Sequence, residues 1–261
     1  MSLSLRVAPG CPCVMGILNI TPDSFSDGGR YYAGGAVEHA LEMVDSGAGI
    51  VDVGGESTRP GSLPIPAEDE ISRIVPVIKA LSEVSDITIS VGTVKTDVAR
   101  AALDAGADII NDVNGLRSEG MAELAAEYGV PVIIMHMHGS PKDMQDCPIS
   151  DDAADIVSGF FRERTVYAES LGIKDVILDP GIGFGKTYGQ NMELIDRIRE
   201  YSMGYPVLIG ASRKSFLSKI YPDIDPDDAT AMVSVRAADA GASILRVHDV
   251  RKVCAALRGR V

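Results

Sequence analysis

The chain has 261 residues, 46% of them hydrophobic, and 24 Lys plus Arg against 37 Asp plus Glu, which leaves a net charge of −13 and a pI near 4.7. That acidic balance excludes a phosphate-backbone binder, so no nucleic-acid partner is expected. With no run of 18 apolar residues and no apolar core behind Met1-Ser2-Leu3-Ser4-Leu5-Arg6, neither a membrane span nor export is expected, and the reading is a soluble, cytoplasmic protein.

In chain order, short Val/Ile/Leu runs predict eight strands, at Val14–Asn19, Ile50–Gly54, Ile87–Val91, Ile109–Asp112, Val132–His136, Val176–Asp179, Val207–Gly210 and Ile244–Val247. Their continuous apolarity suits parallel strands covered on both faces. Helical patterns lie between them, among them Ala67–Ser82, Thr96–Ala105, Met121–Tyr128, Ala153–Leu171, Asn191–Arg199, Ala229–Ala240 and Val250–Leu257. Gly47, Gly106, Gly129, Gly172 and Gly241 each end an amphipathic run just before a β-branched one. Glycine tolerates the left-handed conformation that closes a helix, so these are helix-to-strand turns. Eight repeats of strand and helix predict one (β/α)8 barrel spanning 1–261, with no linker or second domain.

Polar residues gather where the strands end, and in such barrels that rim carries the chemistry. Strand one runs out into Thr21-Pro22-Asp23-Ser24-Phe25-Ser26-Asp27-Gly28-Gly29, and strand two into Gly54-Gly55-Glu56-Ser57-Thr58-Arg59-Pro60-Gly61, two polar loops suited to substrate contact. His136-Met137-His138 could share a metal, but further ligands on other strands are wanting, so no resident transition metal is expected. Cys11, Cys13, Cys147 and Cys254 have no zinc-ligand spacing and read as free thiols.

Asp179-Pro180-Gly181-Ile182-Gly183-Phe184-Gly185-Lys186-Thr187 fails the P-loop pattern, because proline stands where its first glycine belongs. It reads instead as a strand-end carboxylate followed by a tight loop. Ser212-Arg213-Lys214-Ser215 opens a helix and is either an anion or ring site or a plain N-cap with solvated cations. Arg246 and His248, two apart on a strand, face the same side; a phosphate clamp and an Arg246–Asp249 pair are the two readings.

Taken together, Gly16–Asn19 with Thr21–Gly29, Gly54–Gly61, Ile110–Val113, Asp179–Lys186, Ser212–Ser215 and Arg246–Asp249 resemble the dihydropteroate synthases, the pterin-binding barrel enzymes of folate synthesis, over nearly the whole chain. The resemblance implies a transferase that condenses 6-hydroxymethyl-7,8-dihydropterin diphosphate with p-aminobenzoate or a related arylamine, uses Mg2+ and forms a homodimer. It implies that Asp179, Asn111 and Lys214 hold the pterin ring, that Arg246 and His248 hold the diphosphate, and that Asn19 contacts the diphosphate or its Mg2+. Phe25, Thr58, Arg59, Pro60, Phe184 and Ser215 match positions shaping the arylamine pocket, and Asp27 belongs to a first loop that closes over the site.

One residue departs. Ile89-Ser90-Val91-Gly92-Thr93 stands where the family has Ser-Val-Asp-Thr, so the pterin-contacting position 92 lacks its carboxylate. Loss of such a preorganised charge is expected to cost on the order of 10²–10³ in rate, unless a neighbour such as Asp112 substitutes, and Gly92→Asp is expected to raise turnover. The alternative functions are a pterin-dependent methyltransferase or a pterin-binding homologue with weakened catalysis.

Overall fold

Strands that are apolar on both faces must be covered on both, and the chain meets that demand by closing its sheet on itself. The computed structural model describes residues 11–20, 30–57, 63–139, 148–149 and 151–259, without the side chains of 30–33. Its strands are β1 (Cys13–Asn19), β2 (Ile50–Gly54), β3 (Thr88–Gly92), β4 (Ile109–Asp112), β5 (Val132–Met135), β6 (Val176–Asp179), β7 (Leu208–Ile209) and β8 (Ile244–Val247). Every pairing is parallel, in the order β6-β5-β4-β3-β2-β1-β8-β7. A parallel bridge between Leu178 and Val207 joins β6 to β7 and closes the ring.

The helices are α1 (Arg30–Asp45), α2 (Ala67–Val84), α3 (Thr96–Asp104), α4 (Met121–Tyr128), α5 (Ala153–Ser170), α6 (Tyr188–Asp196), α7 (Ile198–Tyr201), α8 (Ser215–Ile220), α9 (Pro226–Ala240) and α10 (Val250–Arg258). The glycines of the predicted helix-to-strand turns, at 47, 106, 129, 172 and 241, have φ from +64° to +114°, the left-handed region in which a side chain is strained. Where boundaries differ from expectation the cause is local. The run expected at 191–199 starts earlier, because Thr187 and Gln190 form a capping box, and it breaks at Arg197 into α6 and α7. Likewise α9 begins at Pro226, with Asp225 accepting hydrogen bonds from the backbone of Asp227 and Asp228. None of the described helices is long and apolar enough to cross a membrane.

Alternation along each strand divides the core into two compartments. Outward residues such as Val51, Val53, Val91, Ile134 and Leu178 pack with Ile74, Ile78, Leu81, Phe161 and Tyr201 of the helices. Inward residues Met15, Ile50, Ile109, Ile133, Ile177, Leu208 and Ile244 make a separate apolar plug inside the barrel. Each such side chain contributes roughly 1.5–3 kcal/mol by burial. Two residues further along the same strands the inward positions turn polar, to Asp52, Asn111, Asp179 and Arg246, and there the site begins.

Candidate active site

A cavity of about 660 Å³ opens at the C-terminal ends of the strands. Asn19, Gly92, Asn111, Asp179, Phe184, Lys214, Ser215, Arg246 and His248 all line it. Phe25, Asp27, Thr58, Arg59 and Pro60 lie outside the described residues.

The loop after β6 is held from below. Asp179 accepts the Gly181 N–H at 2.8 Å. Gly181, at φ +67°, passes so close to His136 that a Cβ would strike its carbonyl oxygen, so glycine is required there. The buried Lys186 donates to the carbonyls of Gly181 (3.0 Å) and Phe184 (2.9 Å) and to His136 Nδ1 (3.0 Å). Burial, with Lys186 alongside, pushes His136 down to about 2, so its imidazole is neutral and accepts from the lysine. The His136-Met137-His138 segment therefore contributes a strut for this loop.

The loop so fixed seats Phe184, and Lys214 Nζ stands 4.0 Å from the centre of its ring. A cation over an aromatic face is stabilised there by about 0.5–2 kcal/mol. Burial pulls Lys214 down to about 7, against the pull of Asp179. Burial likewise raises Asp179, opposed by the Gly181 N–H and by Lys214 and Arg246. A carboxylate and an ammonium short of solvent, in one cavity, form a site ready for a ligand that carries both donors and acceptors.

Across the cavity, Ser212 Oγ accepts the backbone N–H of His248 at 3.1 Å and lies 2.9 Å from His248 Nδ1. The Ser212 hydroxyl can accept that N–H on one lone pair and give its proton to Nδ1, the arrangement that leaves the ring hydrogen on Nε2. Two sequence readings are corrected here. Arg213, in a left-handed turn (φ +55°), directs its guanidinium to Asp227 at 2.7 and 2.9 Å, so Lys214 carries the positive charge of this segment toward the cavity. The helix itself starts at Ser215, so Ser212 is not its N-cap. The Arg246–Asp249 pairing is also replaced: Asp249 caps α10 through the Lys252 N–H, and Arg246 Nε donates to Asp52 at 2.7 Å.

Asp52 is the residue that sequence reasoning missed. Its carboxylate, 1% exposed, accepts from Ser90 Oγ at 2.7 Å and from Asn111 Nδ2 at 3.1 Å in addition to Arg246. Asp112, the expected neighbour of Gly92, belongs to another face: it accepts the backbone N–H groups of Asn114 and Leu116 at 2.8 and 2.7 Å, and burial raises it to about 6. The carboxylate next to Gly92 is Asp52, whose oxygens would stand 3.6 and 3.8 Å from a Cβ there. The signal in the sequence was a charge in the middle of Ile50-Val51-Asp52-Val53, where burial without a partner is costly. On the second loop, Glu56 Oε2 accepts from Lys95 at 2.5 Å and from the Ile65 N–H at 2.9 Å, and Lys95 also pairs with the buried Glu70 at 2.6 Å.

Comparisons with known proteins agree with this geometry. Residues 15–248 match the model of a family described as pterin binding enzyme. The dihydropteroate synthase of Escherichia coli K12 is 44% identical over 254 residues, covering 95% of this chain and 90% of the relative. The Xanthomonas albilineans dihydropteroate synthase solved with 4-aminobenzoic acid superposes with a TM-score of 0.88 at 42% identity, over 95% of this chain and 91% of that one. The same enzyme in complex with 7,8-dihydropteroate gives a TM-score of 0.85 at 39% identity, over 98% and 94%.

Proposed function

The chain belongs to the pterin-binding enzymes and, among them, to the dihydropteroate synthases, and from that premise we propose how its cavity performs the reaction. The substrates are 6-hydroxymethyl-7,8-dihydropterin diphosphate and p-aminobenzoate. The bond between the pterin methylene and the diphosphate oxygen breaks, both electrons leaving with diphosphate. The amine lone pair forms the new C–N bond, and the amine proton passes to solvent.

The observation that carries this reading is a cavity with two differently equipped ends. At one end Asp179 accepts hydrogen bonds from ring N–H and amino groups, Asn111 meets another ring edge, and Lys214 donates to the ring carbonyl. At the other, Arg246 offers its terminal N–H groups to diphosphate oxygens, with His248 Nε2–H as a second donor, so that the leaving charge is stabilised as it develops. A neutral aromatic amine is itself the nucleophile, so none is required of the protein. Phe184 and Ser215 border the amine's approach, and Phe25, Asp27, Thr58, Arg59 and Pro60 complete that pocket in the proposal.

Mg2+ fits the donor chemistry: it binds through few protein oxygens and several phosphate oxygens, and Asn19 lines the cavity with an amide oxygen. When bound, it neutralises charge on the diphosphate. A homodimer and a cytoplasmic location complete the proposal; sedimentation of the purified protein tests the dimer. A larger arylamine acceptor is the second reading of the amine pocket.

The experiment is direct. The protein is incubated with the pterin diphosphate, Mg2+ and p-aminobenzoate, and dihydropteroate and diphosphate are quantified. Equal release of both products is expected, and no condensation with any arylamine would overturn the reading. Titration of the diphosphate with and without Mg2+ tests the metal separately, with tighter binding expected in its presence.

A further inference from the structure

Asp52 sits inside the barrel on β2, in register with Ile17 of β1 and Ser90 of β3. It lies just above the apolar plug and just below the ligand cavity. A carboxylate at that depth costs several kcal/mol unless it is paired and hydrogen-bonded. A hydrophobic residue would fill the place more cheaply, as Ile17 does beside it. Three donors satisfy it instead: Ser90 Oγ at 2.7 Å, Arg246 Nε at 2.7 Å and Asn111 Nδ2 at 3.1 Å. Two of these, Asn111 and Arg246, line the cavity at what the proposed reaction makes its two ends.

The consequences follow from what each group can donate or accept. A carboxylate only accepts, so Asn111 must turn its NH2 down to Asp52 and present its carbonyl oxygen upward as an acceptor. Among the described residues only the Nε–H of Arg246 is taken, by Asp52, which leaves the two terminal nitrogens to face a pair of phosphate oxygens. Gly92 roofs this carboxylate with no side chain, and a Cβ there would meet Asp52 Oδ2 at 3.6 Å and Oδ1 at 3.8 Å. Nothing at position 92 thus separates the Asp52 charge from the ring that becomes cationic as the diphosphate departs.

We propose that Asp52 is the positioning anion of the site: it fixes the orientation of Asn111 and Arg246 together and lends its negative charge beneath Gly92 to the electron-poor methylene. The proposal rests on the dihydropteroate synthase reading. A parent protein that condenses no arylamine would defeat that reading, whereas the arms below compare variants with an active parent.

Asp52→Asn keeps the shape and removes the charge. Its kcat is expected to fall about 10²-fold, while KM for the arylamine stays within about threefold and thermal unfolding still shows a folded barrel. In that background Gly92→Asp returns a carboxylate from the adjacent strand, and kcat is expected to recover at least about tenfold. A merely structural Asp52 would give a loss that Gly92→Asp does not relieve, and that result overturns the proposal, as does an unchanged kcat in Asp52→Asn. Should Asp52→Asn not fold, Ser90→Ala supplies the reading, since Ser90 touches Asp52 below the cavity. One hydrogen bond of about 1 kcal/mol predicts a roughly fivefold fall in kcat with the arylamine KM unchanged, and an unchanged kcat there counts equally against it.

Discussion

The two halves of the barrel interior are built by the same strands and obey opposite rules. The lower half is a plug of Met15, Ile50, Ile109, Ile133, Ile177, Leu208 and Ile244, drawn from every strand except β3. One inward position higher, β2, β4, β6 and β8 carry Asp52, Asn111, Asp179 and Arg246. Below, identity hardly matters so long as volume is kept; above, each side chain is held in one orientation by a named partner. Stability and chemistry are thus separated by a few ångströms along each strand, and they are separable by mutation.

The largest effect should come from breaking the lower half. Ile109→Ala leaves a cavity in a plug that cannot collapse around it, so unfolding free energy should drop by about 2–5 kcal/mol. At temperatures where the variant stays folded, kcat should remain within a few-fold of the parent. Denaturant unfolding and steady-state kinetics on one preparation check both halves of the statement; a variant of full stability and no activity would erase the distinction between the layers.

Changes in the upper half should do the reverse. Asp179→Asn removes a charged acceptor from ring donors, a loss of about 1.5–3 kcal/mol, and calorimetry should find it for the bare pterin and the pterin diphosphate alike. Arg246→Ala should weaken the diphosphate by a similar factor and the bare pterin much less. It should also lower the unfolding temperature, because Asp52 loses its cation. Equal losses for both ligands in the Arg246 variant would move that residue from the phosphate end to the ring end.

The two halves also differ in how far the sequence discloses them. Apolar runs and the glycine turns at 47, 106, 129, 172 and 241 make the barrel legible, because parallel strands and left-handed helix ends demand those residue types at those spacings. Strand-end polar residues disclose the rim in the same way, and Asn19, Asn111, Asp179, Lys214, Arg246 and His248 do meet in one cavity. Pairings are another matter. That Arg246 chooses Asp52, 194 residues away, over the nearby Asp249 depends on register around a closed ring. That Arg213, in a left-handed conformation, pairs with Asp227 while Lys214 reaches the Phe184 ring depends on the backbone of this turn. Neither is a property of local spacing.

The two buried lysines sharpen the comparison through pH. Burial brings both Lys214 and Lys186 to about 7. Below that pH Lys214 is an ammonium able to meet the ring carbonyl, and above it the charge is lost. Hence kcat/KM for the pterin diphosphate should fall as pH rises through about 7, and Lys214→Met should abolish that limb. Stability should move the other way. From about pH 7 up to the ordinary lysine range, the unfolded chain holds protons that the folded chain has released, so folding becomes more favourable as pH rises. Lys186→Met, if folded, should flatten part of that slope and leave the kinetic limb in place; activity and stability changing in parallel would show that one lysine governs both.

The smallest effect is expected at Gly92, where the resemblance to the dihydropteroate synthases implies a carboxylate. Read from sequence alone, Gly92 is a missing carboxylate, and Gly92→Asp should then raise turnover by a factor on the order of 10². With Asp52 3.6 Å from where a Cβ at 92 would stand, the charge is already supplied from the next strand. A second carboxylate there adds repulsion as well as attraction, and Arg246 is shared between the two. In the otherwise unchanged protein, Gly92→Asp should therefore alter kcat by no more than about threefold, against a gain of at least about tenfold in the Asp52→Asn background. The quantity to measure is the ratio of those two gains under identical Mg2+ and substrate concentrations. If the gain is large and equal in both backgrounds, the two carboxylates act independently, the site is short of charge as it stands, and Asp52 does not stand in for a carboxylate at position 92.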